Sequence, residues 1–413
     1  MHLRPRLCTG FSLFLIAFFN PSLFGNGFNL HSLGARAAGM GGAYIGLADD
    51  YSAVFWNPAG LIQLKGKTFG LSIKGLSPFL SWKSDHPDPY PPDIDADTDF
   101  GIFLSGFVSY SFSLGNNVVA GISAYVPSDL ATRWGSPGPY TDSRSRLMVR
   151  ALSPAVALRI NKALSIGATF NLCYGTFSAK WPIDSRRYSE NSSGLGFGAT
   201  VGLLFTPPDE IFSLGITLKT GYKIRLKGEA EMFFLPEDPD VSPRSDFYRD
   251  ISWPWSIGFG VAVRPRDRLI VTADFLWTNW TSVNKIAIEY KNADWKRLND
   301  APPYAKDIGL LWDHTLEFRM GGEYLFKEGI ALRAGYFYDD SPSSGSRLSF
   351  LLPSLPHHGM TMGIGLKKGK IQYDFGLEYL IGTEQKIDLG KPYFESFDGN
   401  TFIATISATY RFK

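Results

Sequence analysis

Residues able to act as nucleophile, general base or metal ligand are sparse in this chain. Six histidines (His2, His31, His86, His314, His357 and His358) and two cysteines (Cys8 and Cys173) are spread over 413 residues. Covalent catalysis needs a nucleophile held by a base that is oriented in turn by a third group, and no histidine here combines with a serine elbow. His357 and His358 adjoin, but two neighbouring imidazoles without a nearby cysteine read as a solvated loop rather than a metal site. The glycine run at 39–42 is not set between a strand and a helix, as a phosphate-binding or dinucleotide loop would be. The chain therefore reads as a non-enzyme with no cofactor and no metal.

What remains is binding chemistry, carried by charges at alternate positions inside apolar segments. Glu317, Arg319 and Glu323 alternate with Leu316, Phe318 and Met320, while Asp374 and Glu378 alternate with Tyr373, Phe375, Leu377 and Tyr379. Arg333 and Arg411 stand in similar segments. A period of two is strand alternation, and each such segment is close to the roughly 9 to 11 residues that cross a bilayer as a tilted strand. Strands are expected near 68–76, 100–112, 118–127, 147–160, 164–175, 194–205, 211–225, 251–264, 269–280, 314–326, 330–339, 359–367, 371–381 and 402–412. Tight turns at 161–163, 265–268, 327–329 and 368–370 alternate with long loops at 77–99, 227–250 and 340–358. An even count of about fourteen strands with short turns at one end and long loops at the other is the pattern of an outer-membrane barrel.

Composition agrees with that reading. Aromatics make up 15% and charged residues 19% of the chain, the latter below the roughly 25% of soluble domains. Mean hydropathy is -0.06. The net charge of +2 offers no basic face for a nucleic acid. His2, Arg4 and Arg6, then the apolar run Phe11 to Phe19, then Asn20 and Pro21 form a secretory signal peptide over 1–25. Loss of Cys8 with that signal leaves Cys173 alone, so no intrachain disulfide can form. A soluble sandwich is the competing reading of the strands. Trp277, Tyr336, Tyr338, Tyr379 and Tyr410 weigh against it, because they fall on the apolar faces like the aromatic girdles of a barrel in lipid.

Residues 26–66 differ from the rest. They are rich in glycine and alanine, show no sustained period of two, and are too apolar for a solvated tail. Close backbone approach is what such a composition permits, and the barrel lumen is the place for it. The barrel itself spans 67–413.

The run Ala38-Gly39-Met40-Gly41-Gly42-Ala43, then Ala48-Asp49-Asp50, then Asn57-Pro58-Ala59-Gly60-Leu61, resembles the N-terminal hatch of the FadL-type long-chain fatty-acid transporters. Trp277-Thr278-Asn279-Trp280, Arg333-Ala334-Gly335-Tyr336, Asp339-Asp340-Ser341-Pro342 and the strand Tyr373 to Tyr379 extend the resemblance in order along the mature chain. It implies an all-β fold, a 14-stranded antiparallel transmembrane β-barrel with a hatch in its lumen, placed in the bacterial outer membrane. It further implies capture of a hydrophobic molecule on outer loops, passage to a lumen pocket, and sideways release through an inward kink in the third strand.

The residues offer a candidate for each step. Gly41, Gly42, Asn57, Pro58 and Ala59 suit a compact hatch, and Asp49 and Asp50 are placed to pair with Arg319, Arg333 or Arg411 on the wall. In the third strand Pro127, after Tyr125 and Val126, cannot donate a ladder hydrogen bond, so it sits at a bulge, an edge or the strand end. Met232, Phe233, Phe234 and Leu235 form one apolar loop cluster, and Phe350, Leu352 and Leu355 with Leu348 and Leu351 a second. The lumen-facing charges are Glu317, Arg319, Arg333, Asp374, Glu378 and Arg411, and Arg319, Arg333 or Lys223 could meet a carboxylate. The expected partners are a hydrophobic ligand and outer-membrane lipid, with no nucleic acid and no required oligomer. The alternative is a barrel serving protein interaction or a secretion apparatus, its loop clusters being the interface. An open porin fits poorly with an internal hatch.

Overall fold

Strands with one apolar and one polar face, long enough for a bilayer, can pair both edges only by closing into a ring. The computed structural model describes residues 27–85, 94–135, 143–183, 186–233, 242–283, 285–300, 307–310, 312–343, 352, 354–390 and 393–412, so the expected signal peptide lies outside the described residues. Two short helices come first, α1 (Ala35–Gly39) and α2 (Ala53–Trp56), with a 3-10 turn at Pro58–Gln63. Strands follow as β1 (Lys67–Asp85), β2 (Ile94–Asp97), β3 (Phe103–Ser113), β4 (Val118–Arg133), β5 (Arg144–Arg159), β6 (Leu164–Ile183), β7 (Arg186–Phe205), β8 (Phe212–Lys219), β9 (Tyr222–Phe233), β10 (Arg244–Trp253), β11 (Ser256–Arg266) and β12 (Leu269–Thr278). The remainder are β13 (Lys285–Tyr290), the helix α3 (Ala293–Asp300), β14 (Ile308–Gly309), β15 (Thr315–Lys327), β16 (Ile330–Asp339), β17 (His357–Lys368), β18 (Ile371–Gly382), β19 (Gln385–Gly390) and β20 (Tyr393–Arg411). No helix among the described residues is long and apolar enough to cross a membrane.

The ring runs β1–β3–β4–β5–β6–β7, then an interrupted stave of β8 and β9, then another of β11 and β10, then β12–β15–β16–β17–β18–β20, and β20 closes on β1 from Thr68↔Arg411 to Asp85↔Phe394. All of these pairings are antiparallel, and β2, β13, β14 and β19 belong to the crown at the long-loop end, which leaves fourteen staves as expected. The alternation has the predicted sense. On β18, Tyr373, Phe375, Tyr379 and Ile381 are exposed on the lipid face while Asp374, Glu378 and Leu380 are buried inside.

The strands are longer than the alternation indicated. β1 runs to Asp85, β9 to Phe233, and β10 begins at Arg244, so parts of 77–99 and 227–250 are paired hairpins rather than irregular loops. Outside lipid a strand no longer needs an apolar face, and the period-two signal fades while the pairing continues.

The segment before β1 fills the lumen, and its residues from Phe28 to Leu64 are almost all buried. It is fastened to strands around the ring. Ala35 N donates to Ser407 Oγ at 2.8 Å, Gly41 N to Thr361 Oγ1 at 2.9 Å, and the amides of Tyr44 and Ile45 to Asp274 Oδ2 at 2.6 and 2.7 Å. At several points where its backbone presses on the wall, the wall residue is glycine. A Cβ on Gly321 would strike the Met40 carbonyl, one on Gly335 the Gly41 amide, and one on Gly215 the Ile45 carbonyl. Gly41 and Gly42 take positive φ, 65° and 70°, which β-branched or bulky residues do not tolerate there. Phe28 inserts among Trp253, Trp280 and Trp312, with ring centroids 5.6, 5.4 and 4.7 Å away.

This seating is testable at one wall glycine. Gly335→Val should leave the barrel formed, read as unchanged heat-modifiable gel mobility, yet raise the ion current through single barrels in a planar bilayer, because the added side chain displaces Met40 and Gly41.

Candidate functional site

A cavity of about 110 Å³ lies in the lumen between the N-terminal segment and the wall. Leu30, Ile45, Phe55 and Trp56 bound it from the segment side, and Tyr125, Cys173, Tyr222 and Trp253 from the wall. Alternation on β8 turns Ser213, Gly215, Thr217 and Lys219 inward and leaves Leu214, Ile216 and Leu218 to lipid. Lys219 thus reaches the cavity, with Nζ 3.8 Å from the centroid of the Phe55 ring. Among the described residues it pairs with no carboxylate.

The cations singled out from sequence are otherwise engaged. Arg319 also lines the cavity, but Nε donates to Glu317 Oε2 at 2.9 Å and Nη1 to the carbonyls of His31 and Gly42 at 2.9 and 3.3 Å. Arg333 meets Glu323 at 2.6 Å and Asp374 at 2.8 Å. Lys223 points out of the barrel and pairs with Asp250 at 2.6 Å. None of the three is a free cation for a ligand. Lys219 was missed, although the alternation of 213–219 would have placed it inside.

Segment and wall are joined by charge, with the polarity opposite to expectation. Neither Asp49 nor Asp50 meets Arg319, Arg333 or Arg411. The segment supplies the cation instead. Arg36 Nη1 donates to Asp49 Oδ1 at 2.5 Å, and its Nε and Nη2 donate to the wall carboxylate Glu323 at 2.8 Å each. Glu323 then leads to Arg333 and Asp374, so five charges form one continuous ladder. Asp50 turns back on its own segment, accepting from Ser52 N at 2.8 Å and Ser52 Oγ at 2.6 Å. Burial raises its carboxyl above the ordinary range, with Arg36 and the Ser52 bonds pulling the other way. Arg411 lies at the short-turn mouth, on a separate polar vestibule of about 640 Å³ that it shares with Asp49. Glu378 pairs with Lys74 at 3.3 Å and accepts from Ser32 Oγ at 2.7 Å. Asn57 donates to the carbonyls of Ile45 and Leu203 at 3.0 Å each and caps the turn that Pro58 opens, its Oδ1 accepting from Ala59 N at 3.2 Å.

The third stave does not stop at Pro127. β4 continues to Arg133, and its register against β5 slips between Tyr125 and Ser128, which makes Val126 and Pro127 a bulge. Its ladder with β3 runs only from Val119 to Tyr125, so Phe103–Gly106 of β3 pair with β1 but not with β4. Ser128, Asp129, Leu130, Ala131 and Thr132 are buried on both faces of the in-turned strand. Its outer end is tied back by the Thr98↔Trp134 bridge and the Arg133–Asp99 pair at 3.1 Å. The Pro127 carbonyl accepts from Leu30 N at 3.0 Å, and Tyr125 and Pro127 both line the cavity.

The loop clusters are not arranged as expected. Met232 lies in β9 and is buried with Tyr188, Phe247 and Trp295, while Leu352 and Leu355 are buried in the main core. Phe233 ends β9, and Phe234, Leu235 and Phe350 lie outside the described residues. Apolar residues in a long loop suggested exposure, but the strand extensions build a crown with an interior of its own.

Comparison with known proteins fits this geometry. Residues 17–412 match the family model described as outer membrane protein transport protein (OMPP1/FadL/TodX). A Pseudomonas aeruginosa FadL homologue is similar in structure at a TM-score of 0.78 and 15% identity, covering 94% of this chain and 100% of its own. The Ralstonia pickettii toluene transporter TbuX gives 0.70 at 17% identity, covering 93% and 100%. The P. putida toluene transporter TodX gives 0.72 at 17%, covering 93% and 99%. No curated protein matches the chain by sequence.

The charge ladder has a measurable role. Arg36→Met leaves Asp49 and Glu323 without their shared partner, and breaking a buried pair from one side costs about 3–5 kcal/mol. A lowered thermal transition and raised bilayer conductance are expected, with partial recovery in Arg36→Lys; wild-type values for both would show that the ladder does not hold the segment.

Proposed function

Because this chain belongs to the OMPP1/FadL/TodX family of outer-membrane transporters of hydrophobic compounds, we propose that its own substrate is a long-chain fatty acid, held in the lumen cavity with its carboxylate at Lys219. The observation that carries this reading is the Lys219 ammonium, which faces the cavity over the Phe55 ring and, unlike Arg319 on the same lining, pairs with no carboxylate among the described residues, while Asp274 and Glu317 of that lining are held by the amides of Tyr44 and Ile45 and by Arg319. A cation in such surroundings favours an anionic group there. The acyl chain would run toward Tyr125 and Pro127 and leave sideways between Phe103–Gly106 of β3 and the in-turned half of β4. In this scheme residues 26–66 are the hatch, which closes the straight path to the short-turn mouth. One barrel contains the whole route, so the working unit is a monomer.

A second reading has a specific observation in its favour. The cavity, about 110 Å³, is no larger than the roughly 150 Å³ that houses a benzene ring in an engineered core. That size is nearer to a single-ring hydrocarbon than to a long acyl chain, and such a ligand would need nothing from Lys219. The interaction-partner reading loses its basis at Met232, Leu352 and Leu355, which are buried.

Binding separates the two substrates. Titrating the purified barrel with oleate and with toluene, followed by tryptophan fluorescence, should show oleate weakened about tenfold or more in Lys219→Met, the worth of a hydrogen bond to a charged group, with toluene unchanged and Lys219→Arg near wild type. Equal affinity for oleate in wild type and Lys219→Met would defeat the fatty-acid reading. For release, deleting Val126 to remove the bulge should leave binding intact while abolishing uptake by cells; unimpaired uptake would mean that the exit lies elsewhere.

A further inference from the structure

On the outer surface β6, β7 and β9 stand side by side, and their registers set residues in horizontal rows. Tyr174 lies beside Leu195, then Thr176 beside Ser193 and Lys227, then Ser178 beside Asn191 and Glu229. Below the Thr176–Ser193–Lys227 row the surface is apolar and open, with Tyr174 42%, Leu195 55% and Phe197 58% exposed, and Phe170 stacked on Phe197 at 5.9 Å. Above it stand the Ser178 hydroxyl, the Asn191 amide and the Glu229 carboxylate. At the boundary is a cleft of about 320 Å³ bounded by Thr176, Ser178, Asn191, Ser193 and Lys227. Short side chains between the Tyr174 ring and the long side chains of β9 create the hollow.

Lys227 differs from its neighbours on the strand. Lys223 and Arg225 are both held by Asp250, at 2.6 and 2.8 Å. Lys227 has no carboxylate partner among the described residues and rests 5.8 Å from the Tyr248 ring centroid. Glu229 in the next row faces Arg244 at 4.0 Å. The cleft therefore offers hydroxyl and amide groups, one uncommitted ammonium, and an apolar strip beneath.

We propose that this cleft binds the phosphorylated sugar headgroup of an outer-leaflet glycolipid, its phosphate at Lys227, its sugar hydroxyls on Thr176, Ser178, Asn191 and Ser193, and its acyl chains along Tyr174, Leu195 and Phe197. A free phosphate would use the ammonium but gain nothing from the strip below. A zwitterionic phospholipid would use the strip but bring its own cation to the site. The proposal rests on the outer-membrane location alone and is independent of which compound is transported.

The test is native mass spectrometry of the full barrel in detergent micelles with added lipid A, dephosphorylated lipid A, phosphatidylethanolamine or inorganic phosphate. Lipid A adducts are expected on the wild type and on Lys227→Arg. They should fall about fivefold in Lys227→Ala, at the upper end for one exposed charge pair, and not in Lys285→Ala, an exposed lysine elsewhere in the crown. Dephosphorylated lipid A on the wild type should fall similarly, which tests the phosphate contact without any variant. Equal retention of phosphatidylethanolamine, equal adducts in Lys227→Ala, an equal loss in Lys285→Ala, or inorganic phosphate bound as well as lipid A would each overturn the proposal.

Discussion

In lipid no water is available to a backbone amide or carbonyl, so each must find a partner within the protein. That requirement closes β1 on β20 and makes any interruption of the ladder expensive. Apart from register shifts beside the short turns at Val263/Arg266 and Leu325/Lys327, the interruptions among the described staves are gathered in one place. The bulge at Val126–Pro127, the break between β8 and β9 at Thr220, and the break between β10 and β11 at Pro254 all border the lumen cavity. Two of them are compensated from nearby: Leu30 N reaches the Pro127 carbonyl, and Thr220 exchanges two bonds of 2.9 Å with Ala199. The cavity is the space left where the wall departs from a regular cylinder, with the N-terminal segment supplying the bond at Pro127.

Charge in the lumen obeys a similar economy of partners. Arg36, Arg319, Arg333 and Lys74 each sit within ion-pairing distance of a carboxylate. Removing one partner from such a pair costs far more than the pair itself contributes, so these groups act as fixed fasteners. Against that background Lys219 stands out as a lumen ammonium with no carboxylate partner among the described residues, which is the ground for the binding role proposed for it.

Much of this was legible in the sequence because it depends on the facing of alternate residues. The facing of Asp374 and Glu378, the lipid face of Tyr373 to Ile381, and the glycine-rich lumen segment all follow from period and composition. The strand-three irregularity was marked by Pro127, since a residue without an amide hydrogen cannot donate to a ladder and is at home in a bulge. The pairing of charges was not legible. Which of Arg36, Arg319 or Arg333 meets which carboxylate depends on how the segment threads through the ring, and Arg36 lies in a stretch with no period to orient it. The crown was misread for another reason: Met232 and Leu355 are apolar residues near loops, and only the tertiary packing of the extended hairpins decides whether such residues face water.

The bonds that seat the lumen segment also constrain how the molecule is made. Ala35 is bonded to Ser407, 372 positions later, and Ser32 to Glu378, 346 positions later. The part of the chain that leaves the ribosome first can reach its final place only when the last strands exist. Helices of five and four residues are too short to persist alone. The segment must therefore travel as unstructured chain and become ordered at closure of the β1–β20 seam. Contacts of such separation make for slow maturation, and a molecule truncated near its end would lose the bonds that seat the lumen segment along with its seam.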